Sequence, residues 1–256
     1  MSKEIEPKSN TPLLIIVAVL VAAALGAWYL YGSSKPTPTA SKNTASSPSS
    51  TPKQATIPAN APAGANPPNQ AGSPTATVRL EEFADFQCPT CAAAHPTMNE
   101  IKSIYGSRIH FIFRDYPLAI PQHDKSYEAA VSAEAAGMQG KFWDMQNLLF
   151  TNQRAWTADP TYKEIWKGYA QKIGLDIDKW QNDMSGIAAK SRVDADMARG
   201  RALGVNSTPT LYINDSPVDF SDMNVEKLRM IIDAELKKAT PQKDAQANTA
   251  TANSNK

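Results

Sequence analysis

Cysteine and histidine are scarce: there are 2 and 3 of them in 256 residues, and both cysteines fall close together, at positions 88 and 91. A disulfide scaffold needs more cysteines at longer separations, so that class is excluded. A zinc site needs about four ligands, and without a second cysteine pair only His95, His110 and His123 are left to join the two thiols. Neither sign of charge is in surplus. Lys and Arg number 26 against 25 Asp and Glu, for a formal net charge of +1. No basic excess therefore points to nucleic acid and no acidic excess to a solvating tail. Large apolar residues are missing from residue 32 to about residue 75, where Ile57 is the only aliphatic side chain larger than alanine. That Pro/Ser/Thr/Ala-rich stretch buries too little surface to offset its ordering entropy, so residues 32–76 are expected to form a disordered tether. As a flexible coil it would average about 40 Å end to end. The polar residues 241–256 are expected to behave in the same way.

One long apolar run is present. It begins at Leu13, ends at Tyr31 and contains no charge (residues 13–31), after a short polar tail at residues 1–12. As a helix it would span roughly 28 Å, the thickness of a bilayer's hydrocarbon core. Trp28, Tyr29 and Tyr31 gather at its far end, where amphipathic rings favour the headgroup interface. It reads as a transmembrane signal-anchor. The alternative is a cleavable signal peptide cut near Ala22, Ala23 and Ala24, but that would leave an apolar start on the mature chain. Lys3 and Lys8 on one side balance Lys35 and Lys42 on the other, so charge does not decide orientation.

Between tether and tail lies one domain, residues 77–240, long enough for a single packed core. Residues 77–83 look like a strand, 88–105 like a helix that Pro96 should kink, and 109–113 like a second strand. Helical stretches follow at 127–138, 142–150, 162–173 and 179–203. Residues 210–213 are expected to form a strand behind Pro209, Val218 a short last strand, and 225–238 a helix capped by Asn224. This order gives an α/β core with an inserted helical subdomain. Trp143, Trp156, Trp166 and Trp180 are expected to pack between its helices.

Cys88-Pro89-Thr90-Cys91 follows a strand and opens a helix. Free N–H groups and the helix dipole stabilise an anion there, which lowers a thiol's pKa and raises its thiolate fraction. Cys88 is expected to be the exposed nucleophile, and Cys91, one turn on, the more buried partner that closes a disulfide with it and resolves a mixed disulfide. A purely structural bridge over so short a loop would contribute only about 2 kcal/mol.

The stretch LEEFADFQCPTCAAAHPTMNEI resembles the active-site region of the DsbA-like branch of the thioredoxin superfamily, especially its membrane-anchored bacterial members. FRDYPL (residues 113–118), His123, QGKFW (139–143) and GVNSTPTLYIND (204–215) extend the match to roughly residues 77–238. The resemblance implies a thioredoxin fold with an inserted helical subdomain. It makes Pro209 the family's cis-proline, with Thr208, Pro89 and Thr90 beside the substrate. It also implies a buried acid at Glu82 that relays protons to the inner thiol, and a place for Asp85 in the active-site loop. Pro96 matches a helix-kinking position. His95, one turn past Cys91, is expected to be a partly exposed helix residue. Thr90 departs from the Pro-His pair of the family's strongest oxidant, which leaves oxidising strength open.

The expected activity is thiol–disulfide exchange outside the cytoplasm, introducing disulfides into reduced exported proteins or peptides. A quinone-linked membrane reoxidase is the expected partner by family analogy. No cofactor or metal is expected, and the domain is expected to be a monomer held to a bacterial membrane with its N-terminus in the cytoplasm. A reductase or isomerase of the same fold, and a tethered chaperone or peptide-binding module, are the competing readings.

Overall fold

The computed structural model describes residues 57–239. The expected anchor at 13–31, the tail before it, the tether up to residue 56 and the C-terminal tail lie outside the described residues. Among the described residues, no helix is long and apolar enough to cross a membrane.

The centre is a five-stranded sheet in the order β1-β3-β2-β4-β5. β2 (Val78–Ala84) and β3 (Ile109–Asp115) are parallel neighbours, with Val78 opposite Ile109 and Ala84 opposite Asp115. A parallel pair needs a crossover, and α1 (Pro89–Tyr105) supplies it. Pro96 lies inside that helix. β4 (Thr210–Ile213) runs antiparallel on the other side of β2, and β5 (Ser216–Val218) completes that edge. The turn between them passes through Asn214 and Asp215, both at positive φ. The last helix, α8 (Val225–Ala239), starts where the Asn224 side chain accepts from the Lys227 N–H.

The insert runs through α2 (Ser126–Gly137), α3 (Phe142–Thr151), α4 (Gln153–Thr157), α5 (Tyr162–Lys172), α6 (Ile177–Ser185) and α7 (Ile187–Ala202). The expected helix over 179–203 is in fact two, broken at Gly186, whose ψ of 175° is extended. Glycine is a poor helix former, and its backbone takes the break at little cost. The four-residue spread of small side chains on α2 lets its neighbours approach closely: Ala129, Ala130, Ala133 and Ala136 are all buried. Trp156 and Trp166 pack edge to face at 5.2 Å, and Trp180 donates to the Ser132 carbonyl. Trp143 is half-buried and carries the Lys102 ammonium 4.3 Å from its ring.

The expectation of disorder through residue 76 needs correcting. β1 (Asn69–Gly72) pairs antiparallel with β3, and the residues before it lie along the domain. Arg114 donates to the carbonyls of Ala63 and Ala65, Arg199 to that of Pro62, and the Ala65 N–H to Asp196 at 2.7 Å. Composition hid this because the segment contributes backbone hydrogen-bonding groups, not apolar side chains. Gly64 has φ +79°, and a Cβ there would come 2.6 Å from the Arg114 guanidinium. The backbone can approach so closely only without a side chain.

Candidate active site

Side chains alternate between the faces of a strand, so β2 presents Leu80, Glu82 and Ala84 to one side and Glu81 and Phe83 to the other. α1 covers the first face. Its start carries the cysteines: Cys88 is the N-cap residue, and Pro89 follows as the first helical residue. Pro89 and Thr90 are exposed. Cys91 is buried at 1% exposure; Cys88 is only 6% exposed, so the nucleophile is far more covered than expected. The cover comes from the loop before β4. The Thr208–Pro209 bond is cis, and the Thr208 carbonyl lies 3.3 Å from Cys88 Sγ.

The two thiols titrate in opposite directions. Cys88 is lowered to about 5, first by a hydrogen bond from the Cys91 thiol, against the effect of burial. Thr208, Thr90 and the Cys91 N–H, one of the free donors at the helix start, lower it further. The Thr90 hydroxyl lies 2.9 Å from Cys88 Sγ and 3.1 Å from the Thr208 carbonyl. Cys91 is raised well above the usual thiol value, by burial first and then by the Cys88 sulfur it serves. Thr208 is itself buried, so its hydroxyl acts on the sulfurs from a site closed to water.

Glu82 is buried at 3% exposure. Desolvation raises its carboxyl to about 7, partly opposed by the charge of Lys102 on α1. Burial in turn lowers Lys102, with Glu82 pulling it back up. His95 is buried, contrary to the expectation of partial exposure. It bonds Asn147 and Asn99 through Nε2 and lies 5.0 Å from the Phe150 ring. Burial lowers its pKa.

Asp85 holds the loop before the cysteines. Its carboxylate accepts from the N–H groups of Gln87 and Leu118, from the Ser126 hydroxyl and from His123 Nδ1 at 2.6 Å. The sequence indicated loop geometry for Asp85 but not these partners, because three of them come from the far side of β3. Gln153 on α4 was missed altogether. Its Nε2 donates to the carbonyls of Phe86, at 2.7 Å, and Cys88, at 2.9 Å. A glutamine in a helical stretch carries no signal of such a clamp.

The opposite face of β2 is also charged. Glu81 meets Arg199 through both carboxylate oxygens and Arg114 through one. Burial pushes Glu81 up, but the two guanidiniums prevail and hold it below the ordinary carboxylate value. Asp115, Glu134 and Asp196 lie near this network, each with an oxygen within 4.8 Å of the others. Among the described residues, these three could hold a metal ion, and hard oxygen donors of this kind suit a cation such as calcium or magnesium. Arg114 pairs with Asp196, and Arg192 with Glu134.

A family model described as thioredoxin matches residues 66–234. Among solved structures, a thioredoxin-like oxidoreductase of Silicibacter pomeroyi is 24% identical with a TM-score of 0.54, over 66% of this chain and 92% of that one. The thiol-disulfide exchange protein alpha-DsbA2 of Wolbachia pipientis is 22% identical at 0.56, over 66% and 87% of the two chains. BdbD of Bacillus subtilis, in its oxidised form, is 21% identical at 0.59, over 69% and 98%. Two curated relatives carry the name of a Na(+)/H(+) antiporter, NhaA. The protein from Mycolicibacterium gilvum is 33% identical over 56% of this chain, and that from Herminiimonas arsenicoxydans 32% identical over 56%. This chain spans only about a fifth of their length, 22% and 21% respectively, so the likeness is to a part of those proteins. With a family match across two-thirds of its length and the strand order and paired cysteines described above, the chain belongs to the thioredoxin family and has the fold of its DsbA-like thiol–disulfide oxidoreductases.

Proposed function

We propose that this protein is a thiol oxidase that passes the Cys88–Cys91 disulfide to reduced exported proteins, outside a bacterial cytoplasm and tethered to the membrane by residues 13–31. The observation that carries this reading is the split between the thiols, with Cys88 near 5 and Cys91 far above it. A couple whose reduced form is stabilised as a thiolate gives up its disulfide readily. A substrate thiolate attacks Cys88 Sγ, the Cys88–Cys91 bond breaks, and Cys91 leaves with the electron pair and takes up a proton. A second substrate thiolate then attacks the mixed disulfide and releases Cys88 as the thiolate. The substrate loses two electrons and the protein gains them.

Glu82 is the proposed proton source for Cys91, because a carboxyl near 7 can both give and take a proton at neutral pH. Thr208 and Pro209 offer extended backbone beside Cys88 on which a substrate segment can lie, with Pro89 and Thr90 on its other side. A quinone-linked membrane protein is the proposed oxidant that restores the disulfide, and the domain is proposed to act as a monomer.

Equilibration of the full chain against glutathione tests the direction. A potential of about −120 to −180 mV supports the oxidase; one near about −270 mV makes the protein a reductase. Cys88→Ser should abolish transfer in either case. If that variant still oxidised a reduced substrate, exchange through Cys88 would be ruled out.

A further inference from the structure

A cavity of about 360 Å3 opens directly beside the cysteine pair, between Pro89 and the first helices of the insert. Most of its polar lining is already committed. Gln153 is held by the carbonyls of Phe86 and Cys88, and Gln87 by Asp124 and the Lys125 N–H. His123 is bonded to Asp85, and Asp124 is paired with the Lys125 ammonium at 2.9 Å. Among the described residues, the lining side chains of Arg154, Gln122 and Thr157 have no hydrogen-bond or ion-pair partner. All three can donate, and Arg154 is exposed. With Asp124 neutralised by Lys125, the guanidinium of Arg154 is the unmatched charge of the cavity.

We propose that this cavity is a substrate subsite that selects an acidic side chain, Asp or Glu, a few residues from the cysteine being oxidised. The proposal rests on the thiol-exchange reading and deepens it. Pro89 follows Cys88 directly and forms one wall of the cavity, so a substrate segment joined to Cys88 Sγ and running over Pro89 passes its mouth. Arg154 lines the same cavity as Pro89, which puts its guanidinium within side-chain reach of that path. Its planar fork suits a carboxylate, with Gln122 and Thr157 able to donate to the remaining lone pairs.

The test uses the full oxidised chain and three sets of reduced dithiol peptides that carry Glu, Gln or Lys two, three or four residues from the first cysteine and are otherwise identical. Oxidation is followed by mass, and each rate is divided by that peptide's rate with 2,2′-dithiodipyridine, which removes differences in intrinsic thiol reactivity. At the position that reaches the cavity, the Glu peptide is expected to react about two- to fivefold faster than the Lys peptide, as an exposed Arg–carboxylate pair allows. The preference should shrink at about 0.5 M salt, where the Debye length falls well below 10 Å. Arg154→Glu should reverse the order of the two peptides, and Arg154→Gln should level it. Equal normalised rates in the parent protein at all three positions, or an unchanged order in Arg154→Glu, would overturn the subsite alone. Failure to oxidise any of the peptides would overturn the thiol-exchange reading and the subsite with it.

Discussion

Glu81 and Glu82 are consecutive on β2 and equally hidden from water, yet they occupy opposite faces of the sheet and titrate in opposite directions. Glu82 lies on the face toward α1, where the charge of Lys102 only partly offsets its desolvation, and its carboxyl rises to about 7. Glu81 faces α7 and is gripped by two guanidiniums, which hold it below the ordinary value despite its burial. The same residue type at the same depth thus has its carboxyl raised to near neutrality on one side and held charged on the other. What differs is the number of donors within hydrogen-bond reach. The Glu81 face is built for structure: its arginines also collect the carbonyls of Pro62, Ala63 and Ala65 and fasten the N-terminal segment to the domain. The Glu82 face keeps a buried carboxyl with the charge of Lys102 alone to offset its desolvation.

Four substitutions test this contrast, and the largest effect falls on the structural face. Glu81→Gln removes the carboxylate that Arg199 grips with both ends of its fork and leaves that buried guanidinium without its ion pair, while Arg114 keeps its ion pair with Asp196 alone. Stability in urea should drop by about 3–5 kcal/mol, with faster amide exchange over residues 62–72. If Glu81→Gln melted like the parent, the two faces would not differ in the way described.

Glu82→Gln should cost little stability and much rate. Loss of a general acid should slow disulfide transfer roughly ten- to hundredfold in stopped-flow measurements. The pH dependence has a definite sign. The folded Glu82 carboxyl, near 7, binds its proton more tightly than the unfolded one at the usual 4.5. Its contribution to stability is therefore full below about 4.5 and is lost as pH rises through about 7. Glu81, lowered on folding, contributes above 4.5 and loses its contribution as pH falls. Comparing urea midpoints at pH 5 and 7.5 for parent and Glu82→Gln should show that the variant lacks the fall between them.

Arg199→Lys keeps the charge but loses the fork that meets both Glu81 oxygens. A loss of about 1–2 kcal/mol in urea is expected. Thr90→Val should have the smallest effect. It removes one hydroxyl from Cys88 Sγ, and the thiolate absorbance titration should move up by about half to one pKa unit. No movement would assign the lowered thiol wholly to the Cys91 thiol and the Thr208 side of the site.

Much of the site was legible because it is local. The cysteines, Pro89 and Thr90 lie in one four-residue motif at a strand-to-helix junction, and period-2 and period-3.6 patterning found β2, β3, β4 and most helices. β1 was not legible. Asn69, Gln70, Ala71 and Gly72 have no strand propensity, and their pairing with β3 depends on an edge that exists only once the sheet has formed. The bonds from Leu118 to Asp85, from Gln153 to the Phe86 carbonyl and from the Asp115 N–H to Asp196 join residues 33, 67 and 81 positions apart. No periodicity carries such pairings.

The sequence by itself determined the pairing of two thiols at a strand-to-helix junction and an α/β core built from β2, β3, β4 and most of the helices. Each follows from local patterning or from a short motif with a fixed geometry. The tertiary structure decided which of two adjacent glutamates stays charged, how deeply Cys88 is covered, and which of the groups near it are left free to meet a substrate. Those properties are set by which donors and how much apolar surface are brought from distant segments to within a few ångströms of each group, and only the folded chain fixes that.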